Sequence, residues 1–397
     1  MAKDRISAKD VMKPHSEAKV RFYQRYLETR LLILSSVAFV KEIHIYDLFC
    51  GRGIYKNGKT GSPIRAYETI REVRRQRPSN NRIVLHLNDK NAKHIETVHT
   101  YLESHFGNEE KICEVVYTQK DANEMLGGLA ARSWCGRLHD GVVNVFFIDP
   151  YGYKEIKREL LEHLMDSGNS EILLFLPISF MHRFTRHAFS NKVTPGALPL
   201  KRLIASFFHE QHPMRTRKEM GVQEYIDHFT KAFTCGGRFY TTSYPIERNE
   251  KNLFALFFFS TSIFGYEKVL EQKWRMMDCW GFGFHLPEME RGFFDEIFKQ
   301  ERLQEMTEGF RVKMLNFLST KTRTNSEVYR FAVENGFLPK HAKDVLRNLQ
   351  ENGQLLIVDM ETGEVVEKRN QFHVDYKGYR NPSYLFLMIS KCEELFT

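Results

Sequence analysis

The 397-residue sequence has no uninterrupted apolar run of about 18 residues, so no transmembrane helix is expected. Its opening residues, MAKDRISAKDVMK, lack the apolar core of a secretory signal peptide. Cysteine is sparse: Cys50, Cys113, Cys135, Cys235, Cys279 and Cys392 are scattered, and no C-x-x-C pair occurs. That spacing argues against a disulfide framework and against a zinc site, and implies reduced thiols in a cytoplasmic protein. Acidic residues are outnumbered, 50 to 58, giving a formal charge of +8 and a pI near 9.0. The excess favours a polyanionic partner. What is present in quantity is apolar: 42% of the chain, enough for one large and one small domain.

The most informative stretch is Glu42 to Pro63, EIHIYDLFCGRGIYKNGKTGSP. Ile43, Ile45 and Tyr46 read as a β-strand. The strand then breaks into Asp47, Gly51 and Gly53, a D-x-x-x-G-x-G pattern. A strand that turns into glycine builds a nucleotide-sized pocket at the carboxyl edge of an α/β sheet. Glycine lets backbone approach a ligand closely. Two chemistries fit. In the first, the loop passes under S-adenosylmethionine (SAM) and Asp47 anchors it. In the second, Gly53–Thr60 matches G-x-x-x-x-G-K-[ST] in full and VNVFFID (143–149) supplies a magnesium-binding Asp, as in a P-loop NTPase. The second ranks lower, because Asp47–Arg52 intervenes before the first glycine. Gly61 and Pro63 also interrupt the helix start that a P-loop needs. Ser62 is expected to cap a separate helix with Pro63 in its first turn. The bland alternative is a structural turn with Lys56 and Lys59 solvated.

Upstream, residues 1–14 read as a basic arm. Val20, Tyr23, Leu27, Leu31 and Leu34 then make one face of a long helix, with His15 and Lys19 at its start. Surface solvation is the plain reading of that pair. After the glycine loop, the helix containing Ile64, Tyr67, Ile70 and Val73 carries Arg71, Arg74 and Arg75 outward. Phosphate contact and an ordinary charged face are equally consistent with them. Strands are expected at 83–87 and 112–117, followed by Asp89 and by Asp121-Ala122-Asn123. Acids at those strand ends suit ribose hydroxyls and an adenine amine respectively. The apolar run 142–148 reads as a strand buried on both faces. It ends in Asp149-Pro150-Tyr151-Gly152-Tyr153. There the Asp149 carboxylate and the Pro150 carbonyl could accept from an exocyclic amine while an aromatic stacks on the base. A turn closing the strand is the alternative.

Ile172–Leu176 is expected as a fifth strand. Residues 178–236 read as a basic helical insertion covering the pocket or touching substrate. Strands at 238–246 and 253–261 would close the sheet as a terminal antiparallel pair, the arrangement of class I methyltransferases. From 306 onward, three short helices and a hairpin around Glu361-Thr362-Gly363 read as a winged helix. Its third helix bears Lys340, Lys343 and Arg347, which suits a nucleic-acid backbone; protein contact is the alternative. The expected domains are 15–300 and 306–397.

The strings YDLFCGRGIYKNGKTGSPIRAYE, FFIDPYGY and ENGFLPKHAKDVLRNL together resemble the three-Cys-motif partner protein family (TcmP). The resemblance covers most of the chain and thins in 178–236. It implies a Rossmann-like class I methyltransferase fold and a partner protein carrying three cysteines. The order of parts is more distantly similar to that of the small ribosomal RNA N6-adenine methyltransferases. It sets His15 and Lys19, Asp47, Gly51 and Gly53, Gly61-Ser62-Pro63, Asp89, Asp121 and Asp149-Pro150-Tyr151 in the family's sequence of sites. D-P-Y-G stands where that family has D-P-P-Y, and is closer to the D-P-F-G of transfer RNA N2-guanine methyltransferases. D-L-F-C-G is similar to the cytosine-C5 methyltransferases, but no Pro precedes a Cys here, so Cys50 is read as a core residue. The resulting expectation is a SAM-dependent methyltransferase acting on nucleic acid at an exocyclic amine, RNA before DNA. The alternatives are a non-catalytic scaffold for the three-Cys partner and, third, an NTPase.

Overall fold

The computed structural model describes residues 11–134, 141–154, 156–166, 168–190, 192–217, 219–249, 252–277, 282–285, 293–366 and 372–389. Cys135, Cys279 and Cys392 therefore lie outside the described residues, as does most of the expected basic arm. The chain divides into two units, Met1–Gln272 with Phe282–Glu288, and Lys273–Gly281 with Met289–Thr397.

In the first unit, α1 (Pro14–Leu34) precedes a strict alternation. It runs β1 (Glu42–Asp47), α2 (Ser62–Gln76), β2 (Arg82–Asn88), α3 (Ala92–Phe106), β3 (Glu114–Thr118), α4 (Ala122–Trp134), β4 (Val142–Ile148), α5 (Arg158–Asp166) and β5 (Ser170–Leu176). Four helices follow: α6 (Ile178–Ala188), α7 (Leu198–Phe207), α8 (Pro213–Thr216) and α9 (Val222–Ala232). Then come β6 (Tyr240–Asn249), β7 (Asn252–Ser260) and α10 (Ile263–Arg275). The sheet order is β3-β2-β1-β4-β5-β7-β6. β1 to β5 are mutually parallel and β7 is antiparallel to both neighbours. This is the class I methyltransferase sheet. The order reverses between β2-β1 and β4, and a reversal of that kind opens a crevice at the carboxyl ends of the strands.

The central strands are buried on both faces, which is why they read as continuous apolar runs. Helix α1 covers one face. Tyr23 stacks on Phe147 with ring centroids 4.3 Å apart. Its register is pinned by Glu171 on β5, whose Oε2 accepts from the Tyr26 hydroxyl and, at 2.8 Å, from Arg30 Nε. The other face carries the larger core. There Ile172, Leu174, Phe257 and Phe259 meet Leu200, Leu203, Tyr225, Phe229 and Phe233. The 178–236 insertion, expected to cover the pocket or touch substrate, thus also packs its apolar side into this core. Its apolar positions have no strand to pair with and bury themselves against the sheet.

The second unit comprises α11 (Phe293–Ser319), β8 (Arg323–Thr324), α12 (Asn325–Glu334), α13 (Pro339–Glu351), β9 (Leu355–Asp359), α14 (Tyr376–Arg380) and β10 (Tyr384–Met388). Its first helix is 27 residues long, not short as its apolar spacing implied. The wing is a three-stranded sheet ordered β8-β10-β9. The expected hairpin forms over the described residues: Val358 bridges Val365, the Asp359 N–H donates to the Glu364 carbonyl at 2.9 Å and the Val366 N–H to the Ile357 carbonyl at 2.8 Å. β10 pairs with β9 along its full length, and residues 367 and 368 lie outside the described residues.

Glu171 gives the fold its sharpest test. Removing its carboxylate breaks the ion pair with the Arg30 guanidinium, 12% exposed, and takes the acceptor from the buried Tyr26 hydroxyl. Breaking a buried ion pair costs up to about 3–5 kcal/mol. Glu171→Ala is therefore expected to lower the urea midpoint substantially at unchanged slope. An unaltered midpoint would show that the Glu171 contacts add nothing measurable to the anchoring of α1.

Candidate active site

β1 and β4 run side by side in register, Asp47 opposite Phe147. Asp47 and Asp149 therefore finish adjacent strands at the same sheet edge. Asp47 is fully buried, and neither carboxylate oxygen has a hydrogen-bond partner of good geometry. Burial pushes its pKa up to about 7. The Ser62 hydroxyl and the Phe49 N–H face it and pull downward, while the Asp149 charge pushes further up.

The glycine loop is built as a cradle. Gly51, at φ +61°, would place a Cβ in open space; Gly53, at φ +69°, would drive one to 2.8 Å from Val98 and 3.1 Å from Pro63. The two glycines thus do different work. Gly51 lines the crevice, and Gly53 permits close packing of the loop on α2 and α3. Asp89 holds this loop in place: its oxygens accept from the Gly51 N–H at 3.0 Å and the Asn91 N–H at 2.8 Å. It is 2% exposed. Its first task is to fix the loop, and a ribose would have to share its remaining lone pairs. Asp121 caps α4 by accepting from the Asn123 N–H at 2.9 Å, and stays exposed. Beside it, the Asn123 side-chain oxygen is buried without a partner. Ser62 opens α2 as its first residue; the cap is Gly61, not Ser62 as expected, and no side chain bonds to the free N–H groups.

His15 and Lys19 are not merely solvated. Lys19 forms an ion pair with Asp149 and lies 4.5 Å from the Phe175 ring centre. His15 stacks on Phe254 at 5.8 Å and 3°, and Phe254 stacks on Phe175 at 5.0 Å. Burial, with Arg248, Lys19 and Lys13 nearby, lowers the His15 pKa to about 4, so the ring is neutral at physiological pH. Pro150 is buried, and Tyr151 is 77% exposed, edge-on to Phe49, with its hydroxyl facing Asp89.

Sequence reasoning missed Tyr55. It is half-buried in the glycine loop. Burial raises its phenol pKa, and the charges of Lys19, Asp149, Arg52 and Asp47 all act on it. An aromatic between Gly53 and Gly58 was the available signal.

Two expectations are corrected. Gly53–Thr60 is not a phosphate loop but a small hairpin: Ile54 bridges Thr60, and the Tyr55 N–H donates to the Lys59 carbonyl at 3.0 Å. Lys59 pairs with Glu17. The string matches a P-loop by residue type only. Nor is the arginine ridge on α2 free for phosphate. Arg71 is held by Glu109, Arg75 lies 3.8 Å from the same carboxylate, and Arg74 donates to Ser79 and Asn81. Because α2 runs back from the carboxyl edge of β1, this end of it lies at the opposite edge from Asp149.

In the second unit, Lys340, Lys343 and Arg347 share one side of α13. Lys340 and Arg347 are exposed and Lys343 is half-buried; Arg347 lies 3.0 Å from Asp344. Among the described residues, no group of three or more His, Cys, Asp or Glu could hold a metal, and no helix is long and apolar enough to cross a membrane.

Residues 287–361 match the family model of the GMT-like wHTH domain. No curated protein matches the chain. Among solved structures, Trm1 from Pyrococcus horikoshii, in complex with SAM, is 13% identical at a TM-score of 0.31. The alignment covers 67% of this chain and 61% of that one, so this chain spans under two thirds of its length. The O-methyltransferase of Bacillus cereus with S-adenosylhomocysteine is 14% identical at 0.30, over 64% of this chain and 84% of that one. TomG of Streptomyces achromogenes with SAM is 12% identical at 0.32, over 66% and 99%. At scores of this size the fold rests on the strand order, not on these likenesses.

Asp47 predicts a pH signature. Its ordinary value of 3.8 rises to about 7 on folding, so between those values the folded chain holds the extra proton. Stability from this group is full below about pH 4 and is lost as pH rises through 7. A shift of about three units bounds the effect at about 4 kcal/mol. Asp47→Asn removes the buried charge. Its melting temperature is expected to exceed wild type at pH 8 and to converge with it near pH 4. Parallel pH profiles would mean that Asp47 is not protonated on folding.

Proposed function

We propose that the chain is a SAM-dependent methyltransferase that modifies an exocyclic amino nitrogen of a nucleic-acid base, in RNA before DNA. The observation that carries this reading is the pairing of two carboxylates at adjacent strand ends: Asp47, buried and unpartnered, and Asp149, at the mouth beside an exposed tyrosine.

The residues present suit the cofactor. Asp47 and Asn123 offer buried acceptors without partners, and Gly51 leaves the crevice clear. Asp47, Gly51, Gly53, Ser62, Asp89, Asp121, His15 and Lys19 would hold SAM, with Lys19 acting chiefly on Asp149. SAM would supply the electrophilic methyl group. The chain's own task is to orient the acceptor. Asp149 and the Pro150 carbonyl would accept the two amine hydrogens, aiming the nitrogen lone pair and stabilising positive charge as it develops. Lys19 fixes the Asp149 carboxylate, and Tyr151 offers a ring face to the base. Lys340, Lys343 and Arg347 on the winged helix would add affinity that is largely independent of sequence.

One observation favours the second reading, a non-catalytic partner of a three-Cys-motif protein. The Asp149 carboxylate is already engaged by Lys19, and a target amine must share it.

Asp149→Ala separates the two. Methyl transfer to bulk RNA is expected to fall at least about 100-fold, the usual cost of losing a preorganised polar contact to the reacting centre. SAM affinity should remain within a few-fold. Wild-type protein that binds SAM but transfers to neither RNA nor DNA would favour the partner reading. Loss of SAM binding in the variant would remove Asp149 from the acceptor side.

A further inference from the structure

Helix α6 begins two residues after β5 ends, at the same sheet edge as Asp149. Its inner side is buried through Ile178, Met181 and Ala188. Its outer side is unusual. Phe180 and Phe184, one turn apart, are 44% and 43% exposed, with ring centroids 4.6 Å apart. Phe180 also meets Tyr153 of the Asp149 loop at 6.0 Å, which joins the strip to the site. Arg183 and Arg186 are exposed on the same helix, as is Lys154 in the loop.

Two large exposed rings on a helix ordinarily mark a covered surface. The charge around them says what covers this one. No Asp or Glu occurs between Glu171 and Glu210, whereas Arg183, Arg186, Lys192, Lys201 and Arg202 do. On the flank of α6, a pocket of about 310 Å³ is lined by Arg183, Arg186, Arg217 and His182, with one carboxylate, Glu219. Arg217 is paired with Glu224, and Arg183 donates to Asn252 at 3.0 Å. Arg186 has no hydrogen bond or ion pair among the described residues. Rings interleaved with cations are what an unpaired nucleic-acid strand requires: ring faces for its bases and guanidinium groups for its phosphates. A duplex keeps its bases stacked and would leave both rings idle.

We infer that the outer side of α6 is a single-strand track. Phe180 and Phe184 stack on bases flanking the target, and Arg183 and Arg186 hold the intervening phosphates. The inference rests on the nucleic-acid reading of the Asp149 site and makes its substrate single-stranded.

The test uses the full chain and two fluorescent probes, a mixed-sequence 20-nucleotide RNA and the same strand annealed to its complement. Anisotropy gives affinities over a range of salt, and calorimetry with SAM serves as the control. Stacking on each ring is worth roughly fivefold or more in affinity. Phe180→Ala with Phe184→Ala should therefore weaken single-strand binding at least about tenfold and duplex binding less than about twofold. Arg183→Gln with Arg186→Gln should flatten the single-strand salt slope by about 1.4, or about 0.7 per lost phosphate contact. SAM binding should be unchanged in both. Unaltered single-strand affinity in the phenylalanine variant, equal losses on both probes, or no RNA binding by wild type would overturn the track. The two proposals fail separately. If SAM binds and bases are methylated while the α6 variants behave as wild type, the track falls alone. If single strands bind through α6 and SAM does not bind, the methyltransferase reading falls and the track stands.

Discussion

A carboxylate sealed at the end of the central strand governs this site. Asp47 cannot be solvated where β1 places it, and burial, the largest of several influences, raises its pKa to about 7. Its neighbourhood is arranged around that strain. Lys19 reaches over from α1 to Asp149, Ser62 faces Asp47 from the start of α2, and Tyr55 sits under the combined field of both acids. A buried polar group without a partner is costly. Retaining one at a topological switch point is the behaviour of a site built for a polar or cationic ligand.

The rest of the first unit keeps this edge rigid. Asp89 ties the Gly51 N–H to the end of β2. The buried Asn88 side chain donates to the Leu48 and Lys120 carbonyls, linking the exits of three neighbouring strands. Glu171 anchors the helix that delivers His15 and Lys19. The cleft residues thus hang on elements whose positions are fixed by packing and buried polar contacts.

Much of this was legible in the sequence because parallel strands buried on both faces are apolar runs that stop at polar residues. Asp47, Asp89, Asp121 and Asp149 stood out for that reason, and so did five strands closed by a terminal antiparallel pair. What was hidden depended on contacts far apart in sequence. Glu109 neutralises Arg71 across 38 residues, so the arginine ridge looked free. The Ile54–Thr60 hairpin imitates a P-loop in residue type while folding differently. Tyr55 gave no periodic signal. The insertion read as basic, covering the pocket or touching substrate, because its charges are visible in sequence, whereas its apolar residues, which fill the core, gave no regular pattern. In the second unit, β10 was missed because its partner β9 lies far upstream in the chain.

The central claim is that the crevice between β1 and β4 is a SAM site and not a nucleoside-triphosphate site. Calorimetric titration of the purified chain with SAM, S-adenosylhomocysteine and Mg-ATP, side by side, tests it most directly. Saturable binding of SAM and S-adenosylhomocysteine with no heat from Mg-ATP is the predicted result. Binding of Mg-ATP, or of none of the three, would contradict it.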